Sequence, residues 1–308
     1  MEIALQFVLL ALGFVMLGKG ADWFVEGAAG IAMRFGIPQL VIGLTIVAMG
    51  TSAPEAAVSI AAAVKGNADI TIGNIVGSNI LNILVILGLA ASIVPIAVAR
   101  STVRIEIPFM IGVTALLFYQ GRDGSISLAD GGVLMVAFAA YMMYLYTMAM
   151  KSNVDSDLEE PGLPLGRCLL GAAGGLALII AGSNVTVGAA TSIATYAGLS
   201  ERFIGLTIVA LGTSLPELFT SVAAARRGNA DIAIGNIVGS NIFNILFVVG
   251  LSSLIIDIPF AAAFNFDTYV ALGAAVLLWL CVLRTQRLQR WAVALMLVCY
   301  AAYLGYIL

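Results

Sequence analysis

The chain repeats itself. Residues 41–84 read "VIGLTIVAMGTSAPEAAVSIAAAVKGNADITIGNIVGSNILNIL", and residues 203–246 read "FIGLTIVALGTSLPELFTSVAAARRGNADIAIGNIVGSNIFNIL". At a constant offset of 162, 33 of the 44 positions are identical, far beyond what shared hydrophobicity produces. One structural unit is therefore built twice, and any chemistry in one copy is duplicated in the other.

The medium of that unit follows from composition: 61% of the 308 residues are hydrophobic, 10% are charged, and mean hydropathy is +1.07. Such a chain is an integral membrane protein. A spanning helix needs ~20 apolar residues, and the runs predict ten helices, at 3–31, 37–64, 70–95, 105–120, 127–150, 165–195, 201–225, 232–256, 267–283 and 289–307. The runs are continuously apolar rather than alternating, which excludes a β-barrel. The first run shows no small-residue cleavage site and is read as a retained helix.

Each repeat copy occupies the second and third helices of a five-helix half. Because five is odd, the second half must enter the membrane upside down relative to the first. The expected fold is all-α: ten transmembrane helices as two inverted five-helix repeats, with helices 2 and 7 broken. Residues 1–150 form the first repeat, 151–163 a linker and 164–308 the second. Arg34, Arg100, Arg104, Lys151, Arg167, Arg226, Arg227, Arg284, Arg287 and Arg290 fall on one side, against Lys65, Arg122 and Arg202 on the other. The positive-inside rule places the first group in the cytoplasm, with both termini outside and the polar stretch "KSNVDSDLEEPG" as a cytoplasmic tether.

Several functions are excluded early. There is no histidine, which removes Ser-His-Asp hydrolysis, the usual zinc sites and any histidine proton relay. Cys168, Cys281 and Cys299 form no CxxC pair and read as packing residues. Net charge is −3 with no basic run, so nucleic acid is not an expected partner; the bilayer is. An intramembrane enzyme would need a base beside Ser52 or Ser214, and neither a histidine nor a GxSxG motif is present.

The polar interruptions carry the chemistry. Gly50, Thr51, Ser52, Pro54 and Glu55 interrupt helix 2, and Gly212, Thr213, Ser214, Pro216 and Glu217 interrupt helix 7. A proline offers no N–H to the carbonyl four residues back, so helix 2 is expected to break around residues 48–51, with the carbonyls of Gly50 and Gly212 freed. In hydrocarbon a freed carbonyl needs polar protein, water or a cation. Pro54 by itself is equally well read as a plain kink. Glu55 tips the balance, because an acidic residue at a helix centre costs roughly 2.5–3.5 kcal/mol on insertion scales.

Thr51 lies four residues before Glu55 and so shares its face; Thr213 and Glu217 repeat the arrangement. In "GSNILN" and "GSNIFN", Ser78 and Asn82, and Ser240 and Asn244, stand four apart. Gly73, Gly77, Gly235 and Gly239 form two Gly-x-x-x-Gly patterns that either pack helices or shape a site. Two inverted copies meeting near the midplane bring Thr51, Glu55, Ser78 and Asn82 opposite Thr213, Glu217, Ser240 and Asn244. All eight side chains offer oxygen, which suits hard cations such as Ca2+ and Na+. Closing such a site empty would bury two bare carboxylates at several kcal/mol each. If only loaded forms can cross, the chain swaps one cation for another; a channel with the same ligands would pass ions without a counter-ion.

The paired "GTSAPE"/"GTSLPE" and "GNIVGSNILN"/"GNIVGSNIFN" resemble the two α-repeats of the Ca2+:cation antiporter superfamily, closest to its prokaryotic sodium/calcium exchangers. The resemblance covers the full chain in helix count and repeat layout. It implies ion coordination by Glu55 and Glu217, by hydroxyls of Thr51, Ser52, Ser78, Thr213, Ser214 and Ser240, and by the carbonyls of Ala48 and Ala210. Asn82 and Asn244 take further coordinating positions. It also implies an inner-membrane location in a prokaryote, Na+ and Ca2+ as transported ions with no cofactor, and helices 1 and 6 sliding across a rigid eight-helix core. Some relatives carry Asp at the position of Asn244, so this site holds two carboxylates rather than three, which argues against K+ co-transport. Three Na+ per Ca2+ is the favoured ratio. The proton-coupled branch usually has an acidic residue where this chain has Gly77 and Gly239; H+/Ca2+ exchange stands as the alternative.

Lys19, Asp22 and Glu26 in the first helix have no charged counterparts at 181, 184 and 188. They read as an interfacial charge cluster, or as the lining of an ion entrance. Asp69 and Asp231, in the matching "GNAD" turns, are expected to cap the helices that follow.

Overall fold

The computed structural model describes residues 2–152, 163–198 and 210–307. Most of the linker, Arg202 and the first part of the seventh expected span lie outside the described residues, as do the side chains of Asp69 and Ala210. The described helices are α1 (Glu2–Phe35), α2 (Gln39–Thr51), α3 (Ala53–Val64), α4 (Ile70–Ile93), α5 (Thr102–Asp123) and α6 (Leu128–Ser152) in the first half. In the second half they are α7 (Leu165–Tyr196), α8 (Ala210–Thr213), α9 (Leu215–Arg226), α10 (Ala230–Ile255), α11 (Ala263–Leu283) and α12 (Arg290–Ile307). Among the described residues, 8 helices are long and apolar enough to cross a membrane, or 9 if α2 and α3, bent by 51°, count as one span.

Local sequence sets the ends of these helices. The "KGN" and "RGN" tripeptides close α3 and α9 identically: Gly66 and Gly228 take φ of +77° and +80°. Asn67 and Asn229 then donate their N–H groups to the carbonyls of Ala62 and Ala224, both at 2.9 Å. A left-handed glycine followed by this bond is a helix-terminating turn that satisfies a carbonyl left over by the helix end. The cap expected of Asp231 is not formed as read. The helix at 230 is preceded by Asn229 with no side-chain cap bond, which puts Asp231 inside the first turn. There its charge complements the helix dipole rather than a single N–H.

Apolar burial sorts the helices into layers. In their most apolar windows α4 and α10 are 78% and 94% buried, whereas α1, α6 and α12 are each 17% buried and turn most of their surface to lipid. The two repeat copies thus supply the centre of the protein. Packed on this core, α1 and α7 run against each other along their length. Their contact depends on small residues: a Cβ on Gly20 would sit 2.8 Å from the Gly175 carbonyl, and one on Gly175 2.6 Å from that of Gly20. Backbones this close give van der Waals contact where lipid offers no hydrophobic driving force.

Two short antiparallel pairs stitch the halves together. β1 (Ile96–Ala97) sets Ile96 opposite Leu288 of β4 (Arg287–Leu288), and β2 (Ser125–Ile126) sets Ile126 opposite Ile258 of β3 (Ile258–Pro259). Shifting β1 by 162 gives β3, and shifting β2 gives β4. The two pairs are one pairing made once from each half, so the repeat visible in sequence is also a relation between contacts.

Candidate functional site

Both chain breaks fall on a serine. α2 stays helical through Thr51, Ser52 takes φ −81° and ψ 7°, and α3 restarts at Ala53; Ser214, at φ −94° and ψ 5°, separates α8 from α9 in the same way. This corrects the expected break at 48–51. Pro54 and Pro216 occupy the first turn of the new helices, where a missing N–H costs nothing. The expected free carbonyls are also accounted for. Backbone N–H groups at the first break reach the carbonyls of Ala48 and Gly50, and the Ser183 hydroxyl donates to the Gly212 carbonyl at 2.7 Å. The Ala48 carbonyl additionally accepts from the hydroxyls of Thr51 and Ser240, both at 3.3 Å.

With the helices broken there, Glu55 and Glu217 stand in the first turns of α3 and α9, each 1% exposed. Each carboxylate is held by the other half. Ser52 donates to Glu217 Oε1 at 2.9 Å, and Ser214 donates to Glu55 Oε1 at 3.3 Å. Thr51 and Thr213 lie within hydrogen-bond reach of Glu217 and Glu55 respectively. Oε2 of both glutamates has no hydrogen-bond partner. Among the described residues the ion pairs are those of Arg227 with Asp22 at 3.7 Å and Glu26 at 3.1 Å, so no basic side chain compensates the two buried carboxylates.

Asparagines build the floor between the halves. α4 and α10 exchange amides: Asn79 Nδ2 donates to the Asn241 carbonyl and Asn241 Nδ2 to the Asn79 carbonyl, each at 3.1 Å. Asn82 then donates to Asn241 Oδ1 and Asn244 to Asn79 Oδ1, each at 3.0 Å. With their N–H groups tied back, Asn82 and Asn244 are left with Oδ1 atoms that have no partner. Asn74 and Asn236 brace the glutamates from behind, donating to the Glu55 and Glu217 carbonyls at 3.3 Å and to Ser59 and Ser221 at 2.9 and 3.0 Å. At Asn82 and Asn244 the helices switch to π-helical turns, Asn82–Leu87 and Asn244–Val249; such turns are frequent at functional sites.

Four buried oxygens without donors therefore remain: Glu55 Oε2, Glu217 Oε2, Asn82 Oδ1 and Asn244 Oδ1. Left bare, each costs about 1–3 kcal/mol, more for the charged ones. The donor set fits a hard cation, with hydroxyls and amides beside two carboxylates. No group of three or more His, Cys, Asp and Glu occurs among the described residues.

Of the sequence-predicted residues, Thr51, Ser52, Glu55, Asn82, Ser214, Glu217, Ser240 and Asn244 join this network, and Thr213 reaches it through Glu55. Ser78 is buried on α4 one turn before Asn82, and Ala210 opens α8. Thr51 also donates to Asn236 Oδ1 at 2.9 Å. Sequence reasoning missed Asn74, Asn79, Asn236 and Asn241. Their signal was an amide identical in both copies on an otherwise apolar helix. It also missed Ser183, whose repeat counterpart is Ala21. Of Lys19, Asp22 and Glu26, the two carboxylates pair with Arg227 of the other half rather than with Lys19, and Glu26 and Arg227 both line a cavity of about 420 Å3. The cysteines are unpaired, with Cys168 and Cys281 buried.

The family described as sodium/calcium exchanger protein matches residues 5–147 and 168–308. The chain is 40% identical to inner membrane protein YrbG of Escherichia coli, over 80% of this chain and 79% of that one. It is 33% identical to sodium/calcium exchanger MaX1 of Methanosarcina acetivorans, over 98% of both. Its fold superposes on the structure of the sodium-calcium exchanger NCX_Mj with a TM-score of 0.86 at 34% identity, covering 98% of this chain and 99% of that one.

Proposed function

Because the chain belongs to the sodium/calcium exchanger protein family, we propose that it is an antiporter that exchanges Na+ for Ca2+ across the membrane by alternating access. The observation that carries this reading is the set of four buried, donor-less oxygens, two from each repeat copy, on Glu55, Glu217, Asn82 and Asn244. In this reading Glu55 and Glu217 hold the cation. Thr51, Ser52, Ser78, Thr213, Ser214 and Ser240 supply hydroxyl oxygens, Asn82 and Asn244 amide oxygens, and Ala48 and Ala210 backbone carbonyls.

The hydrogen bonds suggest how the site changes between loads. The Ser52 and Ser214 hydroxyls donate to the opposite carboxylates. A cation pulls both carboxylates toward itself, and each hydroxyl then turns its lone pairs inward as a ligand. One Ca2+ balances the two carboxylates and three Na+ leave one positive charge over, so exchange at that ratio moves net charge. Closing the site bare costs several kcal/mol per carboxylate, which favours crossing only when loaded.

The architecture we propose is ten spans in two inverted five-helix repeats, 1–150 and 164–308, joined by a cytoplasmic linker at 151–163. The protein sits in the inner membrane with both termini outside. The paired exchange of β1·β4 with β2·β3 and of Asn79 with Asn241 supports a two-fold relation between the halves. In proteoliposomes, an outward Na+ gradient should drive 45Ca2+ uptake. Uptake driven equally well by a pH gradient without Na+ would instead establish H+/Ca2+ exchange.

A further inference from the structure

One more carboxylate is sunk among the helices, away from the ion site. Glu106 ends the π-helical turn Thr102–Glu106 that opens α5, and it is fully buried. One of its oxygens accepts from the Tyr144 hydroxyl of α6. Its Oε2 has no hydrogen-bond partner, nor has the hydroxyl of Tyr141, one turn before Tyr144. Glu106 has no basic partner among the described residues, whose ion pairs all involve Arg227. An ionisable residue in a spanning helix marks a functional site by default.

Ile105, Glu106, Phe109, Ala140, Tyr141 and Tyr144 line a cavity of about 260 Å3. Its walls are aromatic, with Phe109 and Tyr141 stacked at 5.2 Å and Tyr141 and Tyr144 at 6.4 Å. Exposed Ile105, Met143 and Tyr146 flank it, so it opens toward lipid rather than water. Its depth follows from Arg104, an exposed residue only ~3 Å along the helix axis from Glu106. A long basic side chain at a helix end reaches the headgroup layer.

A bare metal ion would use neither the aromatic walls nor so large a space. A primary ammonium satisfies every feature. Its charge offsets Glu106, its N–H groups supply donors to Glu106 Oε2 and the Tyr141 oxygen, and the aromatic faces attract it. A quaternary ammonium has no N–H and would leave both oxygens unserved. We propose that this pocket binds the ethanolamine headgroup of a membrane phospholipid, with its ammonium on Glu106 and Tyr141 and its phosphate at the level of Arg104. Glu106 is shielded while Tyr144 bonds to it; Tyr144 is only partly buried and releases that bond as the ammonium arrives. The proposal rests on the chain being embedded in a bilayer and is independent of which ions it exchanges.

The test is native mass spectrometry of the full chain in detergent, titrated with phosphatidylethanolamine, phosphatidylcholine or free ethanolamine. A lost charge-assisted hydrogen bond corresponds to a roughly tenfold or larger loss of affinity. The wild-type chain should bind phosphatidylethanolamine at least about tenfold more tightly than phosphatidylcholine. Glu106→Gln should erase the preference while retaining ion exchange in phosphatidylcholine vesicles, which shows that it folds. Should that variant fail to fold, the wild-type selectivity and the milder Tyr141→Phe, which should weaken it, still decide. Equal binding of the two lipids by the wild type, or an undiminished preference in Glu106→Gln, overturns the proposal. Displacement of the lipid by free ethanolamine at comparable concentration overturns the lipid as the source.

Discussion

Replacing Glu55 with Gln should make the ion-free protein more stable. Glu55 is 1% exposed, its Oε2 has no donor, and the negative charge of Glu217 acts on it. An acidic residue at mid-membrane costs roughly 2.5–3.5 kcal/mol, and removing that charge recovers most of it. Gln has the same shape and keeps an acceptor for the Ser214 hydroxyl, now at 3.3 Å. Weakening that bond from charged to neutral gives back about 1 kcal/mol. The net expectation is a gain of about 1–2 kcal/mol. The assay is thermal unfolding of the detergent-solubilised chain, followed by tryptophan fluorescence, in chelator and without Na+. Adding Ca2+ at about 100 times its Kd should stabilise the wild type by about 2.7 kcal/mol and the variant not at all. The order of stability therefore inverts on adding the ion. A Glu55→Gln protein that is less stable than the wild type in chelator would show that the buried charge carries no such cost, and one that Ca2+ stabilises equally would show that Glu55 does not hold the ion.

The two cross-repeat hydroxyl bonds should differ in weight. Ser52→Ala removes a 2.9 Å bond to a carboxylate, worth about 1.5–3 kcal/mol, and should lower stability by about that much in denaturant unfolding without Na+ or Ca2+. Ser214→Ala removes one at 3.3 Å, near the limit of useful geometry, and should lower it less. Asn79→Ala and Asn241→Ala each break a reciprocal amide bond. Each should cost about 1–3 kcal/mol in denaturant unfolding, with the double variant less than additive because the residues share one network. Gly175→Val places a side chain against the Gly20 carbonyl and should destabilise the α1–α7 contact by about 1–3 kcal/mol, measured by the same unfolding. Exchange of three Na+ for one Ca2+ should generate a membrane potential, and clamping it with valinomycin and K+ should accelerate uptake.

Glu55 and Glu217 were legible from the amino-acid sequence because a buried carboxylate that recurs at a fixed offset has few structural uses. Their convergence was expected from the inverted arrangement that five spans per half would impose. The expected break lies up to four residues early because the turn that a proline disrupts is the one before it. The chain instead keeps that turn and spends Pro54 in the first turn of the next helix. The amide exchange of Asn79 with Asn241 depends on which face of α4 meets α10. The π-helical turns begin at Asn82 and Asn244, just after those amides, and nothing in an apolar stretch announces them. Ser183 escaped because it lacks a repeat counterpart, so the symmetry that exposed the other residues was silent there. The β pairs are two residues long, too short to leave an alternation pattern.

If one cation is held jointly by a carboxylate from each half, isothermal titration of Ca2+ into the Na+-free protein reads it out as a stoichiometry. A shared site predicts one Ca2+ per wild-type chain and none in either Glu55→Gln or Glu217→Gln. Two Ca2+ per wild-type chain, with one surviving in each single variant, would show two separate half-sites and no shared cation.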